Sequence, residues 1–282
     1  MKTLSVLKKD MEFNKDLSSL IDVLKNIAVA QYRMLEKRIK SYEKFELFLG
    51  SFFEVIDLQH LTHPFIRTHH EQQGVVAVTS DSGLLGGLNM QVVNNALVEL
   101  EQTPGQLIVI GERGKIYARD NRVSFIAFPG INDEQRYAQA MQMRNFLLKK
   151  ISEGAFGSLK VVYPRPLSFT VQRVETVQFL PFTPASLMKR SIAEIPNCLF
   201  ESAPGEIVSY LVYLWMGHKL FEIFGLSRLA EFSARYVHLE ESLQKLKDMD
   251  NKLRLQYFKA RHELIDRNMR ELFSARLLYA SS

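Results

Sequence analysis

The stretch Ser80-Asp-Ser-Gly-Leu-Leu-Gly-Gly-Leu-Asn89 has the composition of a phosphate cradle: three glycines, two hydroxyls and an acid between an apolar run and a helical one. Backbone N–H groups at a helix start, cleared of side-chain bulk, can hold phosphate oxygens. The spacing of Gly83, Gly86 and Gly87 is nevertheless not Gly-x-Gly-x-x-Gly, and no Lys-Ser or Lys-Thr follows as in a Walker A loop. A second stretch, Gly111-Glu-Arg-Gly-Lys115, ends in Lys-Ile and so lacks the hydroxyl that would hold magnesium. Both read as tight turns between strand and helix that need small residues. His60, His63, His69 and His70 lie close together, but without facing pairs or supporting carboxylates, and read as a polar linker. No Ser-His-Asp spacing and no His-Glu-x-x-His occurs. No catalytic residue, cofactor-binding residue or metal ligand is therefore assigned.

The elements that would position these turns dominate the chain. Apolar residues at Leu229, Phe232, Tyr236, Leu239, Leu243 and Leu246 resume at Leu253, Tyr257, Ala260 and Leu264, in steps alternating between three and four. That is a heptad seam. Arg235, Glu240, Glu241, Lys245, Lys247, Lys252, Arg254 and Lys259 wet the other faces, and no Gly or Pro follows Ser227. At about 1.5 Å per residue the seam makes a rod roughly 50 Å long, and such a rod needs a partner helix. Residues 1–58 supply one: Leu4, Leu7, Met11, Leu17, Leu20, Leu24 and Ile27 form a seam that shifts near Gln31 and continues through Leu35, Ile39, Tyr42, Leu49, Phe52 and Ile56. The shift reads as a stutter.

Between the rods, after Gly74, strands alternate with helices. Val75–Thr79, Leu107–Ile110, Val123–Phe128 and Leu159–Tyr163 read as strands, with Phe169–Phe179 an alternating strand at an edge. Leu88–Leu100 and Asp133–Ile151 read as helices. The rhythm argues for a mostly parallel sheet. Pro181, Pro184, Pro196 and Pro204 punctuate the exit, and Gly217 and Gly225 open the way to a kink in the second long helix. The expected fold is α/β: a long antiparallel coiled coil of N- and C-terminal helices with an inserted Rossmann-like α/β domain. Its divisions are 1–60 (helix), 61–73 (linker), 74–204 (α/β domain) and 205–282 (helix).

Composition bounds the rest. The 282 residues carry a formal charge of +5, with 46% hydrophobic and 24% charged residues, which is ordinary for a globular chain. Lys and Arg are interleaved with Asp and Glu, so no nucleic-acid partner is expected. One cysteine, Cys198, excludes an intrachain disulfide. The N-terminus shows no apolar run of a signal peptide. Ile207–Leu226 contains His218, Lys219 and Glu222, so it reads as a buried helix and not as a membrane span.

If both rods leave one side of the sheet domain they run antiparallel, and pairing outward from Glu206 brings Met1 level with residue 262. The apolar residues Leu264, Ile265, Met269, Leu272, Phe273, Leu277 and Leu278 then have no partner in the chain, and another chain must cover them. Asp250 falls on the seam, so it should meet a base on the first helix (Lys8, Lys9 or Lys15), or else the seam loosens there with Met249 turned in.

Thr79-Ser-Asp-Ser-Gly-Leu-Leu-Gly-Gly-Leu-Asn89 matches throughout the pattern Thr-Ser-Asp-x-Gly-Leu-x-Gly-x-x-Asn, the hallmark turn of the gamma subunit of F-type rotary ATP synthases. That family's C-terminal helix carries Tyr-Asn-x-x-Arg-Gln-x-x-Ile-Thr. Here Tyr257-Phe-Lys-Ala-Arg-His-Glu-Leu-Ile-Asp266 keeps the Tyr, Arg and Ile and departs at Phe258, His262 and Asp266. Leu24-Lys-Asn-Ile-Ala-Val-Ala-Gln-Tyr-Arg33 is similar to the family's Met-Lys-Met-Val-Ala-Ala-x-Lys-Leu-Arg. Over its whole length the chain resembles a divergent gamma subunit.

The resemblance implies a non-catalytic central shaft of an ion-translocating ATP synthase, without cofactors. Its partners would be the alpha and beta subunits of the hexamer, the epsilon subunit and the membrane ring of c subunits, at the cytoplasmic face of the bacterial inner membrane. Tyr257, Arg261, His262, Ile265, Asp266, Met269 and Leu272 would touch the hexamer. Ser80, Asp81, Gly83, Gly86, Gly87 and Asn89 would form the signature turn. The competing readings are a coiled-coil scaffold for an unrelated partner and a nucleotide-binding α/β enzyme using the turn.

Overall fold

The computed structural model describes residues 3–39, 45, 49, 52, 56, 63–66, 72–182 and 201–280. In chain order its elements are α1 (Leu4–Ile39), β1 (Gln73–Val78), α2 (Leu88–Gln102), β2 (Gly105–Ile110), α3 (Glu112–Asp120), β3 (Phe125–Phe128), α4 (Arg136–Ser152), β4 (Ser158–Pro166), β5 (Gln172–Leu180) and α5 (Pro204–Ala280). The chain divides into two compact units, one of Met1–Ile27 with Tyr236–Ser282, the other Ala28–Arg235.

The first unit is an antiparallel helix pair. Leu17, Ile21 and Leu24 pack with Leu239, Leu243 and Leu246. Lys25 Nζ reaches Glu240 Oε2 at 2.9 Å and Asp22 Oδ1 at 3.1 Å, and these two bonds hold its pKa above the ordinary lysine value. Counting 21 residues back from Lys25 and 21 forward from Glu240 sets Leu4 level with Arg261. Beyond that level α5 has no residue of α1 to face, as the pairing argument expects.

The seam itself differs from the sequence reading. The buried residues along α1 are Leu7, Asn14, Ile21, Ala28 and Leu35, an unbroken step of seven, joined by Tyr32 three residues before the last, with no stutter at Gln31. Leu20 and Ile27 are instead 55% and 47% exposed. Following the largest apolar residues leads astray here, because two positions of the true seam hold Asn14 and the small Ala28. Asp250 also differs. Its partner is Arg254, 2.8 Å away and one turn along the same helix, within easier reach than a lysine across the seam. Met249 points outward, 54% exposed.

In the second unit a five-stranded sheet has the order β3-β2-β1-β4-β5. β1 pairs in parallel with β2 and β4, β2 in parallel with β3, and β5 closes the edge antiparallel to β4. Val75, Val76, Ala77 and Val78 are wholly buried, as a central parallel strand covered on both faces requires. One face, with Val75, Ala77, Leu107, Val109 and Val162, packs on Val92 and Ala96 of α2 and Ala118 of α3. The other, with Val76, Val78, Ile108, Ile110, Leu159 and Val161, packs on Met143, Leu147 and Ile151 of α4 and on the first turns of α5, including Val212, Trp215, Met216, Leu220 and Phe224.

α5 runs unbroken through Gly217 and Gly225, which serve close approach. A Cβ on Gly217 would lie 3.0 Å from Met141 Cε and Arg144 Nη1, and one on Gly225 3.1 Å from Ile39 Cδ1. α3 is an element the sequence reading takes for part of a turn. The continuation of the first helix through residues 40–60, apart from positions 45, 49, 52 and 56, and the segment 183–200 with Pro184, Pro196 and Cys198 lie outside the described residues.

Candidate functional site

The glycine-bearing turn joins β1 to α2 and spends its polar atoms on α3. The N–H groups of Glu112, Arg113 and Gly114 donate to Asp81 Oδ1 at 2.9 Å, Ser80 O at 3.0 Å and Thr79 Oγ1 at 3.0 Å. The Thr79 hydroxyl in turn donates to Ile110 O at 2.6 Å. Three consecutive residues of the turn thus cap the first three helical N–H groups of a neighbouring helix, groups that otherwise stay unpaired. Asn89 folds back from α2, accepting from Ser80 N–H at 3.1 Å and donating to Ser80 Oγ at 2.9 Å. A phosphate would have to displace these bonds, so the turn is built to be closed and not to receive one.

The surrounding glycines make room for it. Gly111 has φ of +96°, and a Cβ there would meet Thr79 O at 2.5 Å. One on Gly130 would collide with the Asp81 carboxylate. Within the turn, Gly86 has φ of +59°, whereas a Cβ on Gly87 would meet nothing nearer than 3.8 Å. The expected crowding of both positions therefore reduces to backbone strain at Gly86. Gly86→Val is expected to destabilise the chain by about 2 kcal/mol, and Gly87→Val by less than about 0.5 kcal/mol. Urea midpoints for the two variants in the reverse order would refute this account of the turn.

The turn also grips the long helix. Leu85 and Leu88 pack on Ala230 and Ala234 of α5. Ser82 Oγ donates to Glu231 Oε1 at 3.1 Å, and Arg235 Nη2 reaches both Ser82 Oγ and Glu231 Oε1 at 2.7 Å. Arg228 pairs with Glu231 Oε2 and forks onto Asp133 through Nε–Oδ1 and Nη2–Oδ2 contacts of 3.0 Å each. Burial alone would lower the Arg228 pKa, but the bonds to Asp133 and Glu231 hold it above the ordinary value. Glu231 is 4% exposed, a nearly buried carboxylate ringed by two guanidinium groups and a hydroxyl. The sequence reading does not single out Arg228 or Glu231 and places Arg235 on a wet face, whereas Arg235 keeps only 14% of its side chain exposed, drawn in by the Glu231 carboxylate. The signal for them was the spacing of Arg228, Glu231 and Arg235, three and four apart on one helix face.

The residues expected to touch a partner all lie on α5 within the first unit. Tyr257 is half-buried, and Arg261, His262, Ile265, Asp266, Met269 and Leu272 are exposed. They share one helix.

Of the histidines, His63 accepts from Phe65 N–H through Nδ1 at 3.3 Å and stands 2.8 Å from Ser209 Oγ through Nε2. The first contact fixes Nδ1 as the acceptor. His63 therefore donates from Nε2 to Ser209, whose hydroxyl donates to Gly205 O at 3.0 Å. Burial holds its pKa below the ordinary histidine value. His60, His69 and His70 lie outside the described residues, and among the described residues no cluster could hold a metal ion.

A capped turn, a long helix clamped to it by buried charges and an antiparallel helix pair define an α/β protein organised around two long helices. A family model described as ATP synthase matches residues 3–276. The ATP synthase gamma chain of Pelotomaculum thermopropionicum is 21% identical over 278 residues, spanning 96% of this chain and 97% of its own. That of Opitutus terrae is 27% identical over 232 residues, 78% of each chain. The rotor of the Euglena gracilis mitochondrial ATP synthase superposes with a TM-score of 0.68 at 18% identity, over 93% of this chain and 98% of that one. The chain belongs to the ATP synthase family, as a gamma-type subunit that is not itself an enzyme. Among the described residues no helix is long and apolar enough to cross a membrane.

Proposed function

We propose that this chain is the central rotor shaft of an F-type ATP synthase, coupling rotation of the c ring to conformational change at the catalytic sites of an alpha/beta hexamer. One observation carries the reading. Past Arg261, where α1 has ended, Leu264, Ile265, Met269, Leu272 and Phe273 stand 45%, 45%, 49%, 66% and 61% exposed. A helix this bare in apolar side chains is stable only when sheathed.

A second bare stripe follows α1, where Val6, Phe13, Leu20, Ile27 and Met34 recur every seven residues and are all more than 40% exposed. Both stripes belong on a rod enclosed by other chains. The hexamer would cover them, with Tyr257, Arg261, His262, Ile265, Asp266, Met269 and Leu272 as the contacts at the tip. The epsilon subunit and the c ring would meet the sheet domain, at the cytoplasmic face of a bacterial inner membrane. In this division residues 1–60 and 205–282 form the shaft, 61–73 a linker and 74–204 the α/β domain.

The shaft acts by differential contact. A subunit that touches three alternating catalytic sites through one asymmetric surface favours a different conformation in each, and only such a difference can bias an equilibrium. Arg261→Ala removes one polar contact at the tip and leaves the coil intact. Turnover of the reconstituted complex is expected to fall about tenfold, the effect of roughly 1.4 kcal/mol, with one shaft still present per hexamer. Unchanged turnover, or a chain that co-purifies with no hexamer at all, would sink the reading.

A further inference from the structure

At one level of the first unit the two helices part. Lys8, Asn14 and Lys15 of α1 and Lys247, Asp250 and Arg254 of α5 line a cleft of about 600 Å³, with Glu12 at its side. The seam residue there is Asn14, 6% exposed, and its Nδ2 is buried with no hydrogen-bond acceptor. A buried donor left unmatched is unfavourable, and a leucine in this position would have closed the seam. Asp250 is already neutralised by Arg254 at 2.8 Å. Three ammonium groups (Lys8, Lys15 and Lys247) therefore face the single carboxylate of Glu12, and the cleft carries a surplus of positive charge beside an idle amide donor.

The surplus positive charge does not suit a cation. We infer that the cleft is an oxyanion site, taking either inorganic phosphate or a carboxylate presented by a neighbouring chain. Asn14 lines the cleft, and its Nδ2 gives up no hydrogen bond if the amide turns to meet a bound oxyanion. Lys15 and Lys247, on opposite helices, supply the long-range attraction, and a bound oxyanion would bridge α1 to α5 where their apolar seam is interrupted. The site goes beyond the shaft reading and does not rest on it.

The purified full-length chain is titrated with inorganic phosphate at constant ionic strength, following ³¹P line width and heat. Saturable binding in the millimolar range or tighter is expected. Asn14→Leu and Lys15→Glu should each weaken it at least tenfold, while Lys9→Ala, outside the cleft lining, should leave it unchanged. Melting temperatures of the same samples establish that each variant is folded. The second arm uses the assembled complex. If the chain takes up no phosphate, yet Lys15→Glu loosens its retention in the complex and Lys15→Arg restores it, the anion is a partner's carboxylate and the site stands. Absence of phosphate binding together with unchanged retention overturns the proposal. So does phosphate binding that Asn14→Leu and Lys15→Glu leave intact.

Discussion

Ending the chain after Asn268 is expected to leave the isolated protein folded, with an unchanged melting temperature and a solubility equal to or above that of the full chain. In the reconstituted complex the same truncation is expected to weaken retention of the shaft by about a thousandfold and to cut coupled turnover with it. The residues removed include Met269, Leu272 and Phe273, which are 49%, 66% and 61% exposed and so contribute little to folding. Enclosing each in a sleeve transfers about half a large apolar side chain out of water, about 1–1.5 kcal/mol apiece. Three together give roughly 4 kcal/mol, which is about three orders of magnitude in affinity.

The truncated shaft should still enter the hexamer, because the packed part of the coil ends well before residue 268. Two measurements decide the matter: thermal unfolding of the free chain, and the fraction of shaft left on immobilised complexes after washing. A fall of several degrees in the free chain would mean that the tip packs within the molecule. The reading of a sheathed tip would then lose its basis.

The contrast between free and assembled states explains which parts of this protein can be read from its sequence. β1 is legible because a short run rich in β-branched residues, bounded by Gly74 and by Ser80 to Gly83, suits a strand covered on both faces. β5 is legible because Val174, Thr176 and Val177 set β-branched residues among polar ones, which suits a strand at a sheet edge. The antiparallel pairing of the two long helices is legible from their lengths. The seam of α1 is not, since its buried positions include Asn14 and Ala28 while Phe13 and Ile27 beside them are larger and bare. A rod that is covered by other chains breaks the link between size, hydrophobicity and burial on which pattern reading depends.

α3 was missed for a different reason. It is nine residues long with Gly114 in its first turns, a residue that disfavours helix. Its start is held by Thr79, Ser80 and Asp81, some thirty positions earlier in the chain. The same distance hid the purpose of the signature turn. Its residues were visible as a pattern, but the helix they cap and the helix they grip lie elsewhere in the sequence.

That grip gives the second large effect. Glu231→Ala is expected to destabilise the chain by about 3 kcal/mol, the lower end of the range for removing one partner of a buried ion pair. The lower end applies because Arg228 and Arg235 keep 18% and 14% of their side chains in water, and Arg228 retains its fork onto Asp133. In thermal unfolding this amounts to a fall of about 6–12 °C. Glu231→Gln keeps the volume and one acceptor oxygen, and should lose about half as much.

Replacing Arg235 by Met in the Glu231→Ala background should recover part of the loss, because the stranded guanidinium is what costs most once its carboxylate is gone. A double-mutant cycle over Glu231 and Arg235 measures that coupling directly. Coupling near zero would mean that the two groups are merely solvated neighbours and that Leu85 and Leu88 alone hold the turn to α5. Strong coupling has a consequence for rotation. The turn that caps α3 is then fastened to the long helix through a buried charge, a second attachment of the sheet to α5 besides the apolar packing on its first turns. Variants that weaken this fastening should lower coupled turnover in proportion to their loss of stability, while Arg261→Ala lowers turnover with none.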